Sequence, residues 1–146
     1  MNPTAIKFGY PASLIAEYDH WLVLLRPAQV TLGALVAVAK LKAEAFSALP
    51  AAAFSELAGV SADAEAALAA FVHYERINWL MLMMVDRDVH FHILPRYSAP
   101  RRFGPSEFPD AAWPGPPDLS KSVSPGQEEA EAIRQAIRAC WPQHRG

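Results

Sequence analysis

The chain has 146 residues, 52% of them hydrophobic, and a formal net charge of −2 at pH 7. The length fits one domain with a sizeable buried core, and the small charge excludes a strong general field toward nucleic acid or anionic lipid. Because there is one cysteine (Cys140), no apolar run long enough to span a bilayer and no signal-peptide pattern, we expect a cytoplasmic protein without an intrachain disulfide.

Short apolar runs in the first forty residues predict strands. The segment SLIAEYDHWLVLLRP (13–27) predicts two strands on either side of Tyr18 and Asp19. Pro27 ends the second strand because proline cannot donate to a ladder of backbone hydrogen bonds. GALVAVAK (33–40) is short and contains valine, which favours a third strand over a helix.

Residues 43–76 are rich in alanine, glutamate and leucine, which predicts helix. Pro50 suits a first helical turn. Gly59 predicts a break, and Ser61 is the expected N-cap of the helix that follows. The predicted buried stripe recurs at helical spacing and contains Leu68, Phe71 and Val72.

The hydrophobic period changes after Arg76. NWLMLMMVD (78–86) is short and strongly apolar, and DVHFHILPRY (88–97) alternates; the two segments meet at Asp86 and Arg87, which predicts a hairpin. The two-residue period of a strand separates a core face (Val89, Phe91, Ile93) from a face with polar groups (Asp88, His90, His92, Leu94). That second face is the candidate functional site.

The last third of the chain combines a proline-rich segment with a helical one. Eight prolines between Pro95 and Pro125 predict an arm without regular structure, anchored by aromatic residues. SPGQEEAEAIRQAIRACW (124–141) predicts a closing helix capped by Ser124. We therefore divide the chain into a main region (1–100), a proline-rich arm (101–125) and a C-terminal helix of the same domain (126–146).

Three interpretations compete for His90 and His92. Both could be structural histidines at a sheet surface. Adjacent neutral imidazoles also suit a metal ion, with Asp88 as a further ligand, but no Glu or His follows at short spacing and Arg96 would stand beside the metal. In phosphate chemistry one imidazole attacks phosphorus, the second binds phosphate oxygens, and Asp88 passes a proton to the departing group.

DVHFHILPRY resembles the signature of the histidine-triad superfamily of nucleotide hydrolases and transferases. That signature is His-φ-His-φ-His-φ-φ, where φ is apolar, and in the dinucleoside polyphosphate hydrolase branch it often continues into Pro-Arg. The tail ILPR aligns His90 with the middle histidine and His92 with the third. The resemblance, which covers roughly residues 10 to 100, implies that His90 is the nucleophile, that His92 contacts phosphate and that Asp88 replaces the first histidine.

The same resemblance has one departure and adds two candidate site residues, and the residues themselves suggest two more. The family's Gly-x-x-x-Gly-Gln loop, which binds phosphate through backbone N–H groups, is absent, and MMVDRD (83–88) occupies its place. Asn78, twelve residues before His90, matches an asparagine of many members. Asp19 is the nearest candidate for ribose or base contact. Arg96 is a candidate phosphate clamp or a solvent-exposed arginine at a strand end. Trp113 would lie over the nucleotide pocket or a partner subunit, or would anchor the arm.

These observations lead to one expected fold and two expected functions. The fold is α+β: an antiparallel sheet of about five strands with the Ala-rich helix on one face and a C-terminal helix. The first function is a nucleotide hydrolase or nucleotidyl transferase that acts on a nucleotide or dinucleoside polyphosphate through a nucleotidyl-His90 intermediate. The alternative is a nucleotide-binding protein with little or no catalysis. The resemblance also implies a homodimer, and we expect no metal at the nucleophile, no cofactor beyond Mg²⁺ carried by a polyphosphate substrate, and no nucleic-acid or membrane partner.

Overall fold

The structure, a computed structural model, describes residues 2–142 and contains three α-helices and seven strands in that part of the chain. In chain order they are α1 (Pro3–Lys7), β1 (Leu14–Glu17), β2 (Trp21–Leu25), β3 (Leu35–Ala39), α2 (Ala51–Val72), β4 (Arg76–Leu80), β5 (His90–Arg96), β6 (Arg101–Phe103), β7 (Ser106–Phe108) and α3 (Gln127–Cys140). None of these helices is both long enough and apolar enough to cross a bilayer.

A five-stranded antiparallel sheet forms the centre of the molecule, in the order β1-β2-β3-β5-β4. The α+β fold predicted from the sequence is confirmed. Strands β2 and β3 are buried along their whole length, as their continuous apolar runs require. Trp21 and Val23 face the main core, whereas Leu22 and Leu24 face a smaller cluster that contains Phe8 after α1. The sheet is therefore covered on both faces.

Helix α2 runs without interruption through Gly59, so the predicted break and the N-cap at Ser61 are wrong. The Ser61 hydroxyl donates to the carbonyl of Ala58 within the helix, and Pro50 occupies the N-cap position rather than the first turn. Val60 and Ala64 continue the buried face across this point. Packing of that face outweighs the conformational cost of one glycine, roughly 1 kcal/mol.

The predicted pairing of the last two sheet strands is confirmed, but the turn between them is longer than predicted. Strands β4 and β5 pair from Arg76 opposite Arg96 to Leu80 opposite His92. The chain leaves the sheet after Leu80, and residues 81–89 form a connection that we call the 81–89 loop. Within it Met83 adopts a positive φ of 51°, and Val85 is 86% exposed, so the apolar composition here does not indicate a buried strand.

The proline-rich arm contains a short hairpin, which corrects the prediction that it lacks regular structure. Strands β6 and β7 pair across a tight turn at Gly104 and Pro105, where Gly104 has a φ of 57°. The prolines lie outside the paired positions, so the ladder loses no donor. Phe108 at the end of β7 is completely buried and anchors the arm, as its aromatic character predicts.

Helix α3 closes the described part of the chain. Ile133 and Ile137 are buried in the main core, and the Trp141 indole N–H donates to the Tyr18 hydroxyl at 2.9 Å. Gly126 rather than the predicted Ser124 occupies the N-cap position. Residues 143–146 of the predicted C-terminal segment lie outside the described residues.

Candidate active site

His90 and His92 lie side by side on the sheet face that α1 covers. Strand β5 is an inner strand, where His90 stands opposite Val38 and His92 opposite Val36 of β3. The two imidazole centroids are 5.2 Å apart and their planes meet at 78°. Because their backbone is paired and they are only 2% and 5% exposed, the two rings are held rigidly.

The His90 ring is oriented by its own strand. Its Nδ1 lies 2.6 Å from the backbone carbonyl oxygen of Asp88. A carbonyl can only accept, so Nδ1 carries the hydrogen and the lone pair of the neutral ring is on Nε2. Nε2 is therefore the nitrogen that can accept a proton or attack an electrophile.

The His92 ring has the opposite arrangement. The Arg26 Nε–H donates to His92 Nδ1 in a long hydrogen bond of 3.4 Å, which assigns the ring hydrogen to Nε2. Burial, followed by the positive charge of Arg26 and the electrostatic effect of the neighbouring His90, lowers the pKa of His92 to about 4. His92 is therefore neutral at pH 7, and the pair presents one nucleophilic nitrogen and one N–H donor.

A cavity of about 260 Å³ lies in front of the two histidines. Lys7 and Asp86 form an ion pair of 2.7 Å at its rim, and Arg26 lies beside His92. The Phe8 ring packs against both imidazoles, with centroid distances of 6.0 Å and 5.8 Å. The rest of the lining is apolar and comes from residues 82–85 and Leu119.

Asp88 is buried, but its side chain is not part of the cavity wall. Its Oδ2 accepts a hydrogen bond of 3.0 Å from the hydroxyl of Thr4 in α1. The aspartate thus fastens α1 with its side chain and orients His90 with its backbone carbonyl. The catalytic role predicted for its carboxylate stays a prediction.

Three other candidate residues meet at the far end of β5 rather than at the histidine cavity. Asn78, Arg96 and Trp113 line a separate cavity of about 500 Å³. The Arg96 fork binds Asp110 through two hydrogen bonds of 2.7 Å and 3.0 Å, and its Nη1 donates to Asn78 Oδ1 at 2.8 Å. The interpretation of Arg96 as a solvent-exposed arginine is wrong, because its side chain is 5% exposed. A phosphate clamp at Arg96 would have to displace Asp110, so the geometry does not favour that prediction.

Asp19 is also remote from the histidine pair. It lies in the exposed turn between β1 and β2, where its backbone N–H donates to Glu56 of α2. It lines neither the histidine cavity nor the cavity near Arg96. Its predicted contact with ribose or base stays a prediction.

Sequence reasoning missed Lys7, Phe8 and Arg26, which the structure brings to the histidine pair. A signal for α1 was present, since Asn2 followed by Pro3 is an N-cap followed by proline at the first helical position. Arg26 also had a signal, because it is a lone charge directly after the buried run of β2. Their proximity to His90 and His92 depends on the tertiary fold and has no local signature.

Comparisons with known proteins give a result at the level of fold. No protein-family model matches the sequence, and no curated protein matches it. Among solved structures, the chain is similar to a histidine triad protein from Bradyrhizobium japonicum, with 17% identity, 97% of this chain and 96% of that chain covered, and a TM-score of 0.76. The chain has the histidine-triad fold. The resemblance seen in DVHFHILPRY is confirmed at that level.

Two further structures with the histidine-triad fold show the same agreement. One is a hypothetical histidine triad nucleotide-binding protein from Sulfolobus tokodaii, with 18% identity, 94% and 88% coverage of this chain and that one, and a TM-score of 0.68. The other is a zinc-bound histidine triad family protein from Mycobacterium smegmatis, with 20% identity, 93% and 90% coverage, and a TM-score of 0.61. Within residues 2–142 of the present chain, no three His, Cys, Asp or Glu side chains are grouped so that they could hold a metal ion.

Proposed function

We propose that the protein is a nucleotide hydrolase or nucleotidyl transferase that works through a covalent nucleotidyl-His90 intermediate. One observation carries the proposal: the 2.6 Å bond from His90 Nδ1–H to the Asp88 carbonyl, which leaves Nε2 as the nucleophilic nitrogen. The histidine-triad fold and the nucleotide-binding description of the Sulfolobus tokodaii protein support a nucleotide as the substrate. The substrate class is a nucleotide or dinucleoside polyphosphate, the latter with Mg²⁺.

In the proposed reaction, the lone pair of His90 Nε2 attacks the α-phosphorus. The new N–P bond forms as the bond from phosphorus to the leaving group breaks, and the leaving group departs with that electron pair and takes up a proton from solvent. The positive charge on the His90 ring is stabilised by the Asp88 carbonyl, and His92 Nε2–H donates to a non-bridging phosphate oxygen. Attack of water then breaks the N–P bond, releases the nucleotide and one proton, and regenerates neutral His90.

The alternative is a nucleotide-binding protein with little catalysis, and two features favour it. The cavity of about 260 Å³ is slightly smaller than the usual range of ligand pockets, roughly 300–1,000 Å³. Phe8 also packs directly on both imidazoles, which restricts the space from which a phosphate group can approach His90.

A homodimer belongs to the same proposal. Strand β4 is an edge strand of the five-stranded sheet, so one of its sides has no ladder partner in the described chain. An edge of this kind can pair with a second copy. Light scattering on a sizing column tests this, and a monomer mass at micromolar concentration would contradict it.

The catalytic part is tested by mass spectrometry of the intact protein after brief mixing with diadenosine polyphosphates and with ATP. We expect a mass increase of one adenylyl group that maps to His90 and is absent from His90→Asn. His73→Asn is the matched control, because His73 is an exposed histidine with a φ of 50°, a conformation that asparagine tolerates. Nucleotide binding without an adduct or turnover would support the binding protein instead.

A further inference from the structure

Arg26 is a partly buried cation without an anionic partner. Within residues 2–142 no carboxylate oxygen lies within ion-pair distance of its guanidinium, in contrast to the Arg96–Asp110 pair. Burial lowers the pKa of the Arg26 side chain from its usual value. A charge in a partly buried position is unfavourable unless it is paired. A bound anion would therefore stabilise the Arg26 guanidinium.

The free donors of Arg26 are available at the histidine cavity. A guanidinium has five N–H groups, of which one on Nε bonds His92 and one on Nη1 bonds the Ala28 carbonyl at 2.7 Å. The remaining N–H groups have no partner among the described residues, and Arg26 lines the cavity together with both histidines. The guanidinium carbon also lies 6.0 Å from the centroid of the Phe8 ring, which restricts its orientation.

Lys7, the other cation at the cavity, does not serve the same purpose. Its ammonium group is half exposed and is already paired with Asp86 at 2.7 Å. The charges of that pair offset each other, so the uncompensated positive charge of the cavity belongs to Arg26. A purely structural role for Arg26 would need only the bonds to Ala28 and His92, which neutral donors could supply.

We propose that Arg26 binds the phosphate group of the substrate beside His92, using the planar guanidinium as a two-nitrogen donor. Arg26 would thereby supply an anion contact beside the segment MMVDRD (83–88), which lacks the glycines of the family's phosphate loop. The identity of the anion as a nucleotide phosphate rests on the proposed function. The existence of an anion site at Arg26 does not, because it follows from the unpaired charge and its free donors.

The test compares Arg26→Met and Arg26→Lys with a matched control, Arg102→Met. Arg102 lies in the β6–β7 hairpin, is largely exposed and does not line the cavity. Calorimetric titration with AMP, inorganic phosphate and adenosine separates the phosphate contact from contacts to the nucleoside. We expect Arg26→Met to weaken AMP and phosphate at least about tenfold, as loss of a charge-assisted hydrogen bond does, and to leave adenosine unchanged. Arg26→Lys should retain part of the affinity, and Arg102→Met all of it.

A second measurement checks, without any ligand, that the charge of Arg26 acts on the histidine pair. Nuclear magnetic resonance of the imidazole protons follows the titration of His92 in each variant. Loss of the Arg26 charge should raise the pKa of His92, Arg26→Lys should keep it low, and Arg102→Met should not move it. The other titratable groups that act on the pKa of His92 are His90, Asp86 and Lys7, and none of them is altered.

The possible outcomes separate this inference from the proposed reaction. Phosphate and AMP binding that depends on Arg26, without an adduct on His90, would support the anion site and overturn the reaction. An adduct on His90 with AMP affinity unchanged in Arg26→Met would overturn the anion site and leave the reaction intact. Equal loss of adenosine and AMP, or absence of phosphate and AMP binding in the parent protein, would also overturn the anion site.

Discussion

The two neighbouring imidazoles of β5 are set in opposite tautomers by different partners. A backbone carbonyl places the hydrogen of His90 on Nδ1, and an arginine N–H places the hydrogen of His92 on Nε2. Two rings at alternate positions of one strand can therefore have different chemistry. What differs is the local hydrogen-bond partner, and neither partner is visible in the His-x-His spacing.

His92 should remain neutral throughout the physiological pH range. Its pKa is lowered from 6.5 to about 4, first by burial. Between pH 4 and pH 6.5, His92 binds a proton in the unfolded chain but not in the folded one. The free energy of unfolding therefore falls as the pH decreases from about 6.5 to 4. The loss from this group is on the order of 3 kcal/mol. Urea unfolding at several pH values, with His92→Gln as comparison, measures it.

The comparison with His92→Gln separates the contribution of the His92 imidazole from that of the carboxylates that titrate in the same pH range. The variant should show a shallower decline of stability over this pH interval than the parent protein. Identical pH profiles for the two proteins would contradict the assignment of a neutral, buried His92.

The role of Asp88 is testable because its carboxylate and its carbonyl act on different partners. Asp88→Asn keeps an acceptor for Thr4 and leaves the carbonyl bond to His90 unchanged. We expect adduct formation on His90 to slow by less than about tenfold, whereas loss of a general acid costs about 10² to 10⁴. Rapid-mixing mass spectrometry measures the rate of adduct formation. A decrease of about 10² to 10⁴ in that rate would instead support the Asp88 carboxylate as the proton donor.

The Thr4–Asp88 bond should also be visible in stability. Thr4→Val removes the donor and leaves a buried carboxylate without that partner, which should lower the free energy of unfolding by roughly 1 to 3 kcal/mol. Thr4→Ser keeps the hydroxyl and serves as the control. Urea denaturation of the two variants measures the difference, and equal stabilities would show that the bond contributes nothing.

At the scale of elements, the short helix α1 lies over the sheet face that carries His90 and His92. Lys7 of this helix and Phe8 directly after it line the histidine cavity. A helix of five residues is unstable in isolation, and it stays in place through Asn2 bound to the Ala39 carbonyl, Thr4 bound to Asp88 and Phe8 packed on the sheet. These contacts cover the histidine pair. Access to His90 therefore depends on α1 and Phe8.

Removal of the Phe8 ring should expose the two histidines. Phe8→Ala is expected to raise the rate at which diethyl pyrocarbonate modifies His90 and His92, and to lower the free energy of unfolding by about 3 kcal/mol, the low end for a buried Phe. Ile6→Ala on the exposed side of the same helix is the matched control. Peptide mapping by mass spectrometry locates the modified residues, and an unchanged modification rate in Phe8→Ala would contradict the covering role.

The elements that the sequence predicts well are those whose hydrophobic pattern matches the surroundings of each face. Strands β2 and β3 are uniformly apolar because both of their faces are covered, and β5 alternates because one face carries the site. The 81–89 loop misleads because Leu82, Met84 and Val85 are apolar but exposed in the described chain, and the β6–β7 hairpin is missed because prolines flank it. The site is predictable as far as His90 and His92, whereas Arg26 and Phe8 reach it through tertiary contacts alone.

On the scale of the whole molecule, the arm is held to the rest of the protein mainly by side chains, and its backbone adds one isolated bridge between Val123 and Gln29. The Tyr97 hydroxyl accepts from the Leu32 N–H at 2.7 Å and donates to the Phe108 carbonyl at 2.9 Å. Arg96 binds Asp110 through both of its forked nitrogens. A segment rich in proline lacks donors for a long ladder, so these buried polar contacts order it.

The Arg96–Asp110 pair should therefore be a main source of stability for the arm. Both side chains are almost completely buried, so Asp110→Ala leaves an unpaired guanidinium inside the protein and should lower the free energy of unfolding by about 3 to 5 kcal/mol. Glu107→Ala removes the partner of an exposed arginine in the same arm and should change stability by less than about 1 kcal/mol. Guanidinium chloride unfolding followed by tryptophan fluorescence measures both.

The double variant Arg96→Met, Asp110→Leu decides whether the effect comes from the unpaired charge. It removes both charges while keeping apolar side chains of similar size at the two positions, so it should be more stable than Asp110→Ala alone. Limited proteolysis adds a local measurement, because the arm should be cleaved faster in Asp110→Ala than in the double variant if the buried cation weakens the contact of the arm with β5. Equal stability and equal cleavage of Asp110→Ala and Glu107→Ala would contradict a role for the buried pair in fastening the arm.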